Sequence, residues 1–348
     1  MKEKIAIVLA SNLYKAPYAL HYIKLLEVEG LNYDIFTWNR SNVNEPDVIA
    51  FDYNVSDSDN YFKRFIQYLK YYHFLKKNLK EYDKIVMFTI APSILAYPII
   101  RKKNYIIDIR DYSITLKIFK LLFIRVLKKS CLIVTSSKGF LKWLPISKNI
   151  LISHNIPDHI HNKFQIQHQA EKKQVVIKAI GSIRDFPIHI KLIKACANNV
   201  LFRLSFHGQG QSSGQLKEFA ALNNIQNVSF TGLYEKSDEA NLLKGANLVN
   251  NLTSEDINGK TLMTNRFYLS VIYGIPMLVT KDTFQASVCK EYSLGLILDL
   301  DDDICRQIID YHSNFDLSKY NFGRMKFLEL VKKENSDTLK AIASFFHA

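Results

Sequence analysis

Two short hydrophobic runs constrain this fold more than anything else in the chain. Residues 4–10 read KIAIVLA and residues 174–180 read QVVIKAI. Each is nearly continuous and rich in β-branched side chains, the mark of a parallel strand buried on both faces. Each opens a rhythm of strand, loop and helix. Parallel neighbours need crossover connections, so strand–helix–strand units rather than hairpins must build both halves.

The first half predicts a helix over 19–29, with Leu20, Ile23, Leu25, Leu26 and Val28 as its apolar face and Gly30 as its stop. A strand follows over 33–38, then a helix over 60–80 rich in Lys and aromatic residues. Strands are expected over 84–89, 105–109, 131–137 and 149–155. Between them, residues 114–129 read as one basic amphipathic helix whose Leu116, Phe119, Leu122, Phe123 and Val126 pack inward. Residues 156–173 are polar, contain Pro157, and read as a linker. The second half predicts strands over 174–180, 202–207, 227–230, 246–251 and 274–280. Helices are expected near 188–199, 213–223, 236–244 and 264–273. The domain expectation is therefore 1–155, a linker 156–173, a second domain 174–320, and a helix 321–348 packing back on the first. The fold class is α/β, with two Rossmann-like domains facing each other across a cleft. Ligands of such sheets sit at the carboxyl ends of the strands.

Composition narrows the partners. The 348 residues carry a net charge of +13. Residues 61–148 hold 19 Lys and Arg against 4 Asp and Glu, whereas residues 156–348 hold 22 against 20. A field that local implies an anionic partner for the first half. No 18-residue apolar run occurs, and the longest uncharged stretch, 85–100, contains Pro92 and Pro98, so no membrane span is expected. The apolar run at the N-terminus is too short for a signal-peptide core. Cys131, Cys196, Cys289 and Cys305 show no CxxC spacing, which points away from metal binding and towards a reducing cytoplasm.

Several loops resemble, in order, those of family 4 glycosyltransferases with the GT-B fold. They are the loop Asn12-Leu13-Tyr14-Lys15-Ala16-Pro17, DIRDY (108–112), TSSKGFLKWLP, NIPD, IGSIRDF (180–186), FHGQGQ (206–211), NVSFTGLY (227–234) and TNRFYLSVIYGIPMLVT (264–280). The resemblance implies that Asn12, Tyr14 and Lys15 bind the acceptor. It implies that Gly181, Ser182, Arg184, His207, Gly208, Gly210, Gly232, Tyr234, Gly259, Lys260, Thr261, Thr264, Asn265 and Arg266 bind a nucleotide-sugar donor, with uridine diphosphate favoured. Gly181 lets a diphosphate approach the backbone before a helix N-terminus. His207–Gly210 offers bare backbone to a base or ribose. The backbone of Gly232–Tyr234 is expected to meet a uracil edge. Thr264 is placed to cap the next helix, and Arg266 is a cation at a helix start, where the macrodipole opposes it unless an anion bridges the two.

Departures from the family pattern fall at Thr261 and Leu269, where it carries a Glu pair, and at Ser182 and Pro187, where it has Arg and Lys-containing positions. Arg184 and Lys191 are the substitutes nearest to hand. No DxD motif stands at a strand end, so no essential metal and no cofactor are expected. Asp301–Asp303 reads as a solvated helix start. Asp111, with Arg110 beside it, is the candidate catalytic pair; Asp111 as a cap of the following helix is the alternative.

The function expected is transfer of a sugar from a nucleotide-diphosphate sugar to a lipid-linked saccharide in capsule or O-antigen synthesis. The enzyme would be cytoplasmic and peripheral at the inner face of the plasma membrane, meeting anionic lipid through its basic helices. The alternatives are a non-catalytic homologue serving as a partner subunit and a nucleotide-sugar 2-epimerase. No RNP, helix-turn-helix or zinc signature supports nucleic acid as a partner.

Overall fold

The structure is a computed structural model describing residues 4–55, 60–145, 150–156 and 174–348. All of the expected linker except residue 156 lies outside the described residues. The chain divides into two units: residues 4–154 with 333–348, and residues 155–332. Among the described residues no helix is long and apolar enough to cross a membrane.

Unit 1 runs β1 (Ile5–Val8), α1 (Ala19–Val28), β2 (Tyr33–Asn39), β3 (Ile49–Asp52), α2 (Tyr61–Asn78), β4 (Lys84–Phe88), α3 (Ile90–Ile100), β5 (Asn104–Ile109), α4 (Thr115–Ile118), α5 (Lys120–Lys129), β6 (Leu132–Thr135) and β7 (Ile150–Ile152). The described strands form one parallel sheet in the order β3-β2-β1-β4-β5-β6-β7. Strand order reverses between β1 and β4. Ile5 and Ile7 of β1, Val86 and Phe88 of β4 and Ile106 of β5 share a core with Tyr22 and Leu26 of α1. Full burial of each such side chain contributes about 1.5–3 kcal/mol.

Unit 2 runs β8 (Val175–Ile180), α6 (Phe186–Cys196), β9 (Phe202–His207), α7 (Ser213–Leu222), β10 (Val228–Gly232), α8 (Glu239–Leu243), β11 (Leu248–Asn250), α9 (Ile257–Thr261), α10 (Asn265–Tyr273), β12 (Met277–Thr280), α11 (Phe284–Tyr292), β13 (Gly295–Leu298), α12 (Ile304–Ser313) and α13 (Leu317–His347). The order is β10-β9-β8-β11-β12-β13, all parallel, reversing between β8 and β11. Two apolar clusters cover the sheet. Leu192 of α6 and Leu216 of α7 pack with Leu204 and Phe206 of β9. Phe267 and Val271 of α10 pack with Val249, Met277 and Phe327. The early part of α13 belongs to that second cluster. From Lys333 onwards its residues group with unit 1, where Ile342, Phe345 and Phe346 join the core and buried Lys84 donates to the Phe346 carbonyl at 2.9 Å.

The expected single helix over 114–129 is corrected. It breaks at Phe119, which takes φ −111 and ψ 29, outside the helical region. Leu116, Phe123, Val126 and Leu127 are buried, but Phe119 and Leu121 turn outwards. Two short strands, β3 and β13, have no counterpart in the sequence reading.

Candidate functional site

In a doubly wound sheet the ligand crevice lies outside the carboxyl ends of the strands, where strand order reverses. In unit 2 that point lies between β8 and β11, and Arg266 straddles it. Its Nη1 donates to the carbonyl of Asn250, the last residue of β11, at 2.9 Å, and its Nη2 donates to the carbonyl of Ser182, just after β8, at 3.1 Å. The geometry begins with Thr264. Its hydroxyl caps α10 by accepting from Phe267 N–H at 3.1 Å, as its position before the helical segment predicts. The same hydroxyl donates to Asn251 Oδ1 at 2.5 Å, and the buried Gln285 Oε1 accepts from Asn251 Nδ2 at 2.8 Å. The start of α10 is thereby tied to the end of β11, and exposed Asn265 and half-buried Arg266 follow directly.

Burial pulls the Arg266 guanidinium down to about 10, and the positive charge of Arg184 acts in the same direction, against Asp185 and Tyr234. Exposed Arg184 donates from Nε to Ser182 Oγ at 3.1 Å. Two cations therefore converge on Ser182. The Tyr234 hydroxyl donates to Glu239 at 3.3 Å and lies 4.0 Å from where a Cβ on Gly181 would stand. Burial raises its phenol well above the ordinary value. Gly181, Ser182, Arg184, Tyr234 and Arg266 thus form one group. Asn250, Asn251, Gln285 and buried His189, whose ring nitrogen is 3.3 Å from Asn250 Nδ2, support it. The sequence reading named none of these four. The polar pair Asn250-Asn251 at the end of an apolar strand was the available signal.

The glycines after β9 let the loop pack closely on the end of β8. A Cβ on Gly208, at φ +124, would stand 2.0 Å from the Gly181 carbonyl oxygen, and one on Gly210 would stand 2.3 Å from that of Ile183. The backbone expected to receive a base or ribose is packed, on the side where a Cβ would stand, against residues 181–183. The Gly232 carbonyl, expected to face a uracil, accepts from Gly208 N–H at 2.8 Å. His207 is buried. Its Nδ1 lies 3.1 Å from Thr231 Oγ1, its Nε2 has no partner among the described residues, and burial lowers it to about 4.

Gly259, Lys260 and Thr261 sit on α9. Gly259 N–H donates to Asp256 at 2.7 Å, its missing Cβ makes room for the Ser254 carbonyl, and buried Thr261 returns its hydroxyl to Ile257. Lys260 is exposed. At the positions of the family's Glu pair, Thr261 is thus turned into its own helix and Leu269 lies in the α10 core. Lys191 pairs with Asp301 at 2.7 Å, and Asp303 caps α12.

In unit 1 the reversal lies between β1 and β4. Asn12 is fully buried there. Its Nδ2 donates to Asn39 Oδ1 at 2.9 Å and Glu45 Oε2 at 3.3 Å, and its Oδ1 accepts from Arg40 and Ser41 N–H groups at 3.1 and 3.3 Å. With every donor and acceptor position used, Asn12 clamps two loops, which corrects its assignment as an acceptor ligand. Glu45 also accepts from the Leu13 and Tyr14 N–H groups. Tyr14 and Lys15 are exposed, with Lys15 Nζ on Ser41 Oγ at 2.5 Å.

Arg110 is corrected as well. It is buried, 2.5 Å from Asp108 Oδ2, and donates to the Ser153 carbonyl at 3.1 Å, while Tyr22 also donates to Asp108 at 2.7 Å. It holds the end of β5 rather than facing a substrate. Asp111 is exposed and stands three residues before Ile114, the N-cap position of α4.

No protein-family model matches the chain. No curated protein matches it by sequence. Solved structures do. WaaG, a glycosyltransferase involved in lipopolysaccharide biosynthesis, is 14% identical with TM-score 0.67 over 97% of this chain and 99% of that one. Anabaena HepE, determined with UDP and glucose, is 12% identical with TM-score 0.65 over 97% and 99%. An α,α-trehalose-phosphate synthase (UDP-forming) from Burkholderia xenovorans is 10% identical with TM-score 0.68 over 97% and 98%. The two doubly wound units of this chain are those of the GT-B fold.

Proposed function

We propose that the protein transfers a sugar from a nucleotide-diphosphate sugar, with UDP favoured, to a lipid-linked saccharide in surface polysaccharide synthesis. The observation that carries this reading is Arg266 spanning the β8/β11 reversal beside Arg184. Breaking an anomeric C–O bond leaves negative charge on a diphosphate oxygen. Pre-aimed guanidinium groups in a partly dry site stabilise that charge without reorganising. These two arginines supply the neutralisation, so turnover is expected to survive chelation of divalent metal. Asp111 is the carboxylate proposed as base, should the acceptor hydroxyl need one. UDP is favoured because HepE was determined with UDP and the Burkholderia enzyme is UDP-forming. The acceptor class follows the ordered loops and WaaG's part in lipopolysaccharide biosynthesis. We place the enzyme in the cytoplasm.

Leu269, buried at a family Glu position, favours a second reading, a non-catalytic homologue serving a partner subunit. One experiment separates the two. Uridine, guanosine, cytidine and thymidine diphosphates are added singly and the melting temperature is read. A ligand at about 100 times its Kd adds roughly 2.7 kcal/mol, a rise of a few degrees. The donor reading expects one nucleotide to act, and Arg266→Ala and Arg184→Ala to abolish its effect. No response to any nucleotide sinks it and favours the partner reading.

A further inference from the structure

We infer that Arg40 forms a phosphate-binding subsite in unit 1, which takes a phosphate or diphosphate group carried by the acceptor. Arg40 directly follows β2, at the carboxyl-end edge of the sheet. Its Cζ lies 4.1 Å from the centre of the buried Trp38 ring and 5.7 Å from that of Tyr68 in α2. Its Nη2 donates to the Tyr68 hydroxyl at 3.2 Å. The backbone is fixed as well, because the Arg40 N–H donates to Asn12 Oδ1 at 3.1 Å. Tyr71, whose ring stacks on Trp38 at 4.9 Å, donates to the carbonyl of Leu9, just after β1, at 2.9 Å. The guanidinium therefore stands at the carboxyl ends of β1 and β2, beside the β1/β4 reversal where a ligand of this unit belongs. The two rings set its plane before any ligand arrives, and a pre-organised guanidinium is the group that selects phosphate.

The charge is left unanswered. Among the described residues no carboxylate pairs with Arg40, its Nε is buried without a partner, and its Nη1 makes no hydrogen bond. The side chain as a whole is only half-buried, so the Nη edge is the one a ligand can reach. The nearby acids are engaged elsewhere. Asp52 accepts from its register partner Asn39 at 2.9 Å, and side chains at those positions point to the face opposite Trp38 and Phe51. Glu45 is taken up by the Leu13 and Tyr14 N–H groups. Helix α2 brings no acid, since residues 60–80 hold six Lys and Arg and no Asp or Glu. Buried Arg110, which serves only to hold its strand, is met by Asp108. Arg40 has no such counter-charge, and an anion supplies it. A phosphoryl group, with several acceptor oxygens, suits a fork with one arm already engaged better than a planar carboxylate, which takes both arms. The inference rests on the proposed function for there being an acceptor at all, and adds that the acceptor is phosphorylated. Its test uses neither turnover nor nucleotide, so the two readings fail separately.

Trp38 and Trp143 are the two tryptophans of the chain, so a Trp143→Phe background leaves Trp38 as the reporter. Its emission is titrated with inorganic phosphate, pyrophosphate, glucose 1-phosphate and geranyl diphosphate. A saturable change is expected, because an anion on Arg40 neutralises a charge 4.1 Å from the ring. Tighter binding of geranyl diphosphate than of pyrophosphate assigns the group to a lipid carrier. Tighter binding of glucose 1-phosphate than of inorganic phosphate, without a gain from the geranyl chain, assigns it to a phosphosaccharide. Arg40→Met is expected to weaken binding at least about tenfold, the loss of one charged hydrogen bond, and Arg40→Lys by less. Tyr68→Phe keeps the ring and the charge but releases Nη2. It is expected to weaken binding a few-fold with a melting temperature within a degree or two of the parent, which keeps the inference open to refutation should Arg40→Met fail to fold. Arg266→Ala, and Lys76→Gln near the other end of α2, are expected to leave the Trp38 response at the parental level. Absence of a saturable response to all four probes overturns the inference. So does a response that survives Arg40→Met in a folded protein, or one that Lys76→Gln weakens equally.

Discussion

The Arg110 guanidinium and the Asp108 carboxylate meet at 2.5 Å with both side chains almost wholly removed from water. Removing one partner of such a pair strands the other charge. Asp108→Asn or Arg110→Met alone is therefore expected to destabilise unit 1 by about 3–5 kcal/mol. The double variant is expected to cost clearly less than the sum, which urea unfolding measures. A lone Arg110→Met variant with parental stability and lost turnover would return Arg110 to the reaction itself.

Two buried histidines make stability depend on pH. Burial holds His189 down to about 3, with Arg266 adding to the effect, and holds His207 down to about 4. In the unfolded chain both titrate near 6.5, so between about pH 6.5 and pH 3–4 the unfolded state binds more protons and stability falls as pH falls. Each histidine is expected to remove about 2 kcal/mol between pH 7 and pH 5. A melting curve at each pH checks this. His189→Gln should lower the melting temperature at pH 7 but flatten its slope towards pH 5; an unchanged slope refutes the assignment.

Gly208 and Gly210 are expected to be intolerant of alanine for reasons internal to the loop. Their added Cβ atoms would meet the carbonyls of Gly181 and Ile183 at 2.0 and 2.3 Å, and Gly208 also holds φ +124. Overpacking of this kind costs about 1–3 kcal/mol, and it would move the residues to which Arg266 and Arg184 are bonded. Gly214, in α7 with nothing within 4 Å of its would-be Cβ, is the control. Gly214→Ala is expected to stabilise by up to about 1 kcal/mol. Should Gly208→Ala behave like Gly214→Ala, the close packing of the two loops is not what the glycine is for.

The strand–helix rhythm was legible because hydrophobic period is local. β9 over Phe202–His207 and the cap at Thr264 follow from a few consecutive residues. The place of Arg266 in the first turn of α10 was legible because the cap at Thr264 sets the helix start. The role of Asn12 was not, because Glu45 and Asn39, which fix it, are far along the chain, and that of Arg110 was legible only in part, because Asp108 stands two residues before it whereas Ser153 is 43 residues away. No spacing rule carries that information. β3 and β13 escaped because each is four residues long and only partly buried, so neither shows a full period. The break at Phe119 escaped because an i, i+3, i+4 pattern continues across it.

Thr264 offers the sharpest test of how the donor-side arginine is aimed. Its hydroxyl accepts from Phe267 N–H and donates to Asn251 Oδ1, so one oxygen both starts α10 and ties it to the end of β11. Thr264→Ala removes a cap worth about 1 kcal/mol and leaves the buried Asn251 oxygen short of a donor, a further 1–3 kcal/mol. Thr264→Ser keeps both bonds and loses only a methyl group, so it is expected to stay within about 1 kcal/mol of the parent. If α10 aims Arg266, the alanine variant should also need a higher nucleotide concentration for the same rise in melting temperature, and the serine variant should not. Equal stability losses in the two variants would show that the methyl group, not the hydroxyl, holds this junction. Parental nucleotide affinity in a destabilised alanine variant would show that Arg266 keeps its position through Asn250 and Ser182 alone.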